Sequence, residues 1–168
     1  MKRRLTRTGA SGRRKPTKRR PGNGALELLR RDHDAVSALF ERYERLAERG
    51  AESKKADIAR TICAELTVHA AIEEDVFYPA LRDHDPDAAS LLDEADVEHA
   101  SLKALIAQIK AGSPGDGHYD ARVKVLGEYV KHHVKEEQSE IFAAARASGM
   151  DLKALGADLA ARKAELKK

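Results

Sequence analysis

Four stretches of this chain place apolar residues at alternating three- and four-residue steps, and that rhythm is the strongest constraint on its fold. Such spacing lines one face of a helix and has to be buried against other helices. The first stretch runs Leu26, Leu29, Val36, Phe40, Tyr43, Ala47, and the second Ile58, Ile62, Leu66, Val76, Ala80. The third runs Ala88, Leu92, Ala95, Leu102, Ile106, Ile109, and the fourth Val123, Leu126, Val130, Ile141, Ala144. Each seam is interrupted by polar residues. His33 breaks the first, His69 and Glu73 the second, His99 the third, and His133 and Glu137 the fourth.

Punctuation fixes the expected elements. Helix 1 is predicted over Ala25–Arg49 and stops at Gly50; helix 2 over Ser53–Arg82, with Pro79 kinking or closing its last turn. Helix 3 is predicted over Asp87–Lys110. Helix 4 spans His118–Ala147, after the loop Gly112-Ser113-Pro114-Gly115-Asp116-Gly117. Asp151 is placed to cap a short fifth helix packed on the others through Leu152, Leu155, Leu159 and Leu166. Long helices joined by short loops, with no strand pattern, predict an all-α, up-down-up-down four-helix bundle with a short C-terminal helix.

In that bundle the six interrupting residues meet. At a rise of about 1.5 Å per residue, all six lie roughly 12–21 Å from the same end. Four imidazoles and two carboxylates in a dry layer are costly unless a cation compensates them. His33, His69, Glu73, His99, His133 and Glu137 are therefore candidate metal ligands. The mixed nitrogen and oxygen set suits iron, manganese or zinc rather than calcium or magnesium. Two carboxylates able to bridge, and imidazoles from all four helices, favour two metals.

Other polar residues are expected to be structural. His132 points roughly 100° away from His133, toward the surface or a helix interface. Glu74, Glu98 and Glu136 are expected on a solvated face, and His84 and His118 in loops. Cys63 lies off the seam as a small buried residue, and Tyr43 belongs to the core.

Charge is unevenly distributed. Residues 1–24 hold ten of the 31 Lys and Arg and none of the 28 Asp and Glu, so the remainder nets −7 (21 basic against 28 acidic). The head, rich in Gly and Pro and almost devoid of apolar residues, is expected to be a disordered basic tail. Its positive charge suits weak nucleic-acid binding, though no aromatic residues interleave for base stacking. It lacks the apolar core of a secretory signal and the amphipathic pattern of a transit peptide. No apolar run approaches the ~18 residues of a membrane span. One cysteine precludes an intrachain disulfide; a cytoplasmic location is expected. The expected partition is tail 1–24, bundle 25–147 and C-terminal helix 148–168, as a monomer or dimer.

The ordered set His, His-x3-Glu, His, His-x3-Glu resembles the hemerythrin-like (HHE cation-binding) domain. The local contexts that carry the likeness are Arg31-Asp32-His33, His69 through Glu73 to Pro79, Glu98-His99, and His132-His133-Val134-Lys135-Glu136-Glu137. The resemblance implies two non-haem iron ions bridged by carboxylates and an oxo or hydroxo group. His33, His69, His99 and His133 would be terminal ligands; Glu73 and Glu137 would bridge. Oxygen carriers of the family have a second histidine where this chain has Lys103, and an acid where it has Gln138. The resemblance thus implies reaction with dioxygen, peroxide or nitric oxide, in sensing, scavenging or an iron-related stress response, rather than reversible oxygen transport. The alternative is a nucleic-acid-associated protein acting through its tail, with the bundle as sensor or scaffold. No nucleophile–base pair, phosphate-binding glycine loop, His-Glu-x-x-His motif or ferritin-type Glu-x-x-His is present.

Overall fold

The expected helices form, with two interruptions that their periodicity does not announce. The computed structural model describes residues 24–168. Residues 1–23, with nearly all of the basic tail, lie outside the described part. Helix α1 spans Ala25–Ala47. Helix α2 spans Glu52–Ile72, continues through a π turn at Glu73–Phe77, and resumes as α3 over Tyr78–His84. After a 3₁₀ turn at Pro86–Ala88, α4 spans Ala89–Ala111. Helix α5, Tyr119–Glu136, passes through a second π turn at Glu137–Ile141 into α6, Phe142–Ala147. Helix α7 spans Leu152–Leu166, and its N-cap Asp151 accepts hydrogen bonds from the Lys153 and Ala154 amides, each 3.0 Å. Gly50 and Gly149, with φ of 64° and 77°, supply the left-handed residues that close α1 and α6.

The four long rods pack as an up-down-up-down bundle, α1 against α2 and α4 against α5, while α7 lies against α1 and the first π turn. The core has two apolar halves. Leu29, Phe77, Leu81, Leu92, Phe142 and Leu159 belong to one; Val36, Ile62, Leu66, Ile106, Leu126 and Val130 belong to the other. Tyr43 and Cys63 are buried in the second half, where the pattern put them. The six interrupting residues are also buried, at 0–6% exposure. Because they interrupt the seams between these two sets of residues, they form a polar layer between two greasy ones.

The π turns matter to that layer. Each places one extra residue in the helix, closed by the Tyr78 amide on the Glu73 carbonyl and the Phe142 amide on the Glu137 carbonyl. The wider turn lets consecutive residues, Phe77 with Tyr78 and Ile141 with Phe142, all be buried just after an inward glutamate. Pro79 is not their common cause, because the second π turn has no proline. Such bulges recur at functional sites.

Candidate metal centre

The inner layer is built from imidazole Nε2 atoms and carboxylate oxygens that converge. His33 Nε2 and His69 Nε2 stand 2.9 Å apart, and His99 Nε2 and His133 Nε2 stand 3.2 Å apart. Glu73 lies between the pairs. Its Oε1 is 3.0 Å from His69 Nε2 and its Oε2 3.4 Å from His99 Nε2. Glu137 Oε2 is 3.0 Å from His33 Nε2. The donors therefore fall into two groups that share one carboxylate: His33, His69, Glu73 and Glu137, and Glu73, His99 and His133. Glu137 belongs to the first group only.

The outer nitrogens are held from behind. His133 Nδ1 donates to Glu98 Oε2 at 2.7 Å, and His99 Nδ1 to Glu74 Oε1 at 2.9 Å. Asp32 Oδ2 faces His69 Nδ1 at a longer 3.5 Å. The Gln138 amide Nε2 donates to His33 Nδ1 at 3.0 Å; turning the carboxamide over would present its oxygen and let Nδ1 donate, as the other rings do. A proton held on Nδ1 leaves the Nε2 lone pair pointing inward, the state in which imidazole binds metals. Lone pairs at these separations repel unless something positive lies among them. All four oxygens of Glu73 and Glu137 lack a hydrogen-bond partner and are buried. Four imidazole nitrogens that meet only one another and two carboxylates, with four carboxylate oxygens lacking a hydrogen-bond partner, fit a metal pair.

Comparison with known proteins agrees. The model of the hemerythrin HHE cation-binding domain matches residues 24–145. The chain belongs to the hemerythrin HHE cation-binding family. A DNA nickase from Nostoc sp. is 35% identical over 122 residues, which is 71% of this chain and 33% of the relative. The chain thus spans about a third of that relative's length. A solved hemerythrin HHE cation-binding domain-containing protein from Mycobacterium kansasii superposes with a TM-score of 0.74 at 22% identity, covering 86% of this chain and 87% of the other. That likeness concerns the fold.

The hemerythrin-type site has an internal repeat that the sequence shows only in part. His33, His69 and Glu73 correspond to His99, His133 and Glu137. The supports repeat too. Asp32, beside His33, serves His69, whereas Glu98, beside His99, serves His133. Glu74 serves His99, and Gln138 serves His33. Tyr78 stacks on His99 with centroids 5.6 Å apart, and Phe142 stacks on His33 at 6.2 Å. Every support thus acts on a different helix from its own. That corrects the expectation for Glu74 and Glu98, which are not merely solvated but hold ligand-type imidazoles. From sequence, Asp32 and Gln138 counted only as context and as a departure from the oxygen carriers, and Tyr78 and Phe142 had no assigned part. The one legible signal was position, since Asp32 adjoins His33 and Gln138 adjoins Glu137; Tyr78 and Phe142, at the exits of the π turns, carried none.

The electrostatics are those of crowded buried charges. Burial, reinforced by His69, drives the His33 imidazole down to about 3. Burial opposes the His69 cation, but Glu73 and Asp32 outweigh it and raise that ring to about 9. Burial also lifts the Glu137 carboxyl well above the usual range, and the neighbouring Glu73 charge lifts it further. Glu73 moves the opposite way, because His69 and His99 overcome its desolvation. In the hemerythrin-family chain the layer thus holds one carboxylate firmly ionised and a second that ionises only against resistance.

Access is apolar. A cleft lined by Val36, Leu66, Leu102, Ile106, Val130 and Val134 reaches the four imidazoles, with Asp32 and Lys103 also on its wall. Lys103 does not face the layer; its Nζ donates to both Glu74 oxygens, at 2.7 and 2.5 Å. His84 is exposed on the last turn of α3, its ring at the Ala80 carbonyl, rather than in a loop. His118 caps α5. No described helix is long and apolar enough to cross a membrane.

Proposed function

We propose that this chain binds two iron ions in its polar layer and reacts there with dioxygen, peroxide or nitric oxide. His33, His69, Glu73 and Glu137 would hold one ion, and His99, His133 and Glu73 the other. The observation that carries the reading is Glu73. It is fully buried, has no hydrogen-bond partner, and offers one oxygen to each histidine pair. Manganese or zinc would suit the donor set less well than iron, which resemblance within the family favours.

The iron pair, when bound, supplies electron transfer to and from a small ligand. The chain supplies the rest. Asp32, Glu74, Glu98 and Gln138 hold the rings so that Nε2 faces inward. The apolar cleft admits small uncharged molecules and disfavours charged ones. The second group has one carboxylate fewer than the first, and Lys103 is committed to Glu74, so this group can leave a coordination position to a ligand. That asymmetry supports reactivity over reversible oxygen carriage.

The test is metal content with an optical spectrum on protein produced with ample iron. Two irons per chain and a near-ultraviolet to visible band that changes on adding peroxide or nitric oxide are expected. A chain that takes up no iron, and in which His69→Ala changes neither metal content nor stability, sinks the reading.

A second reading has its own support. Residues 1–24 carry ten Lys and Arg and no acid, and a relative matched over a third of its length is a DNA nickase. The basic tail would add weak, sequence-independent nucleic-acid binding to a bundle domain over 25–147 with its packing helix over 148–168. Binding should fall steeply with salt and vanish when residues 1–22 are removed; retention after that deletion excludes the tail.

A further inference from the structure

Three carboxylates support the inner histidines, and two of them have a lysine as counter-ion. Lys163 of α7 pairs with Asp32, and Lys103 pairs with Glu74. Glu98 has no lysine or arginine partner among the described residues. What faces it instead is a second set of metal-type donors. His132 Nε2 lies 3.7 Å from Glu98 Oε1 and 3.2 Å from Glu136 Oε1. One donor atom from each of the three falls within 4.8 Å of the others.

The sequence doubles the inner device at this point. His132 and Glu136 have the same four-residue spacing as His133 and Glu137, one position earlier, and Glu98 directly precedes His99. A shift of one residue turns a helical side chain by about 100°, so the copy faces outward. Nothing in the first half of the bundle requires it. The positions corresponding to His132 and Glu136 there are Val68 and Ile72.

We propose that Glu98, His132 and Glu136 form an outer, solvent-facing site for a divalent first-row transition cation. The cation takes the place at Glu98 that Lys163 and Lys103 fill at the other two supports. His132 is 63% exposed, Glu136 36% and Glu98 24%, so water completes the coordination and the cation exchanges freely. One imidazole and two carboxylates suit cobalt, zinc, manganese or ferrous iron over calcium. Glu98 links the two centres, since its Oε2 accepts from His133 Nδ1 while its Oε1 faces the outer donors. The competing description is an ordinary surface ion pair between His132 and Glu136, which would bind no metal.

The site builds on the di-iron reading only in that the inner layer must be filled before the outer one is counted. The full-length, iron-loaded protein is titrated with Co²⁺ by equilibrium dialysis, with iron content and the optical band read on the same samples. Wild type should take one further Co²⁺ per chain. His132→Ala and Glu136→Gln should each bind it at least tenfold more weakly, with iron content unchanged. His118→Ala, at an exposed histidine remote from the cluster in sequence, should bind as wild type does. A Co²⁺ count that is equal in wild type and in both cluster variants, or is zero in wild type, overturns the outer site. Failure of wild type to hold iron overturns the di-iron reading instead, and the outer site is then still read as the one Co²⁺ per chain that wild type binds and that His132→Ala and Glu136→Gln lose.

Discussion

Glu137 is the residue at which stability and metal binding should pull apart. It is wholly buried, neither of its oxygens has a hydrogen-bond partner, and it faces a second buried carboxylate, Glu73. Leaving a buried polar group unsatisfied costs about 1–3 kcal/mol, and more when it is charged. Glu137→Gln keeps the shape, removes the charge and adds an amide able to donate to Glu73. In metal-free protein near neutral pH the substitution should therefore stabilise by about 1–3 kcal/mol, which is roughly 2–12 °C in Tm for a chain of this size. The sign with pH follows from the raised carboxyl. Its protonated form is favoured in the fold, so the metal-free wild type is most stable below the ordinary glutamate range. It loses that advantage as pH rises toward the folded-state value. The Gln variant should lack this part of the slope. With metal the order reverses. A ligand at 100 to 1,000 times its dissociation constant stabilises by about 2.7–4.1 kcal/mol, and the variant forfeits most of that gain. The assay is urea or thermal melting of wild type and variant, chelated and iron-loaded, from pH 5 to 8. A variant less stable than wild type when both are metal-free, or equally stabilised by iron, would refute the reasoning.

Other outcomes follow from the same geometry. Glu98→Gln replaces the charged partner of His133 with a neutral one, and iron affinity should fall about 10–100-fold, read by chelator competition. Iron affinity overall should weaken in acid, because every donor binds deprotonated; dialysis at pH 5 against pH 7.5 measures it. Tyr78 is buried and its hydroxyl has no partner, so Tyr78→Phe should leave metal-free stability unchanged or raise it by up to about 1 kcal/mol. At the far end of the bundle, Asp120 accepts from Tyr43 at 2.5 Å and from the buried Lys55 at 2.9 and 3.0 Å. Asp120→Ala should cost about 1–3 kcal/mol by stripping partners from those groups. Burial opposes the Asp120 carboxylate, but these hydrogen bonds bring it below the usual range. Its contribution is therefore present above pH ~4 and lost as pH falls through the folded-state value, and Asp120→Asn should flatten that acid limb.

Much of this protein was readable along the chain, because helical periodicity is local. Leu29, His33 and Val36 share a stripe whatever lies opposite, and the same holds for His69 with Glu73 and His133 with Glu137. The bundle, its capping helix at Asp151 and six inward donors all follow from spacing and punctuation. What spacing cannot carry is contact between helices. Asp32 adjoins His33 yet supports His69, and Glu98 adjoins His99 yet supports His133, since a neighbour in sequence points about 100° away and meets the next rod. The π turns were equally hidden. They bury Tyr78 and Phe142 against histidines of other helices, and no residue type announces them. Glu73 and Glu137 look alike in sequence, each four residues after a histidine. Only the packing of four rods around them made one carboxylate common to both histidine pairs and left the other with a single pair.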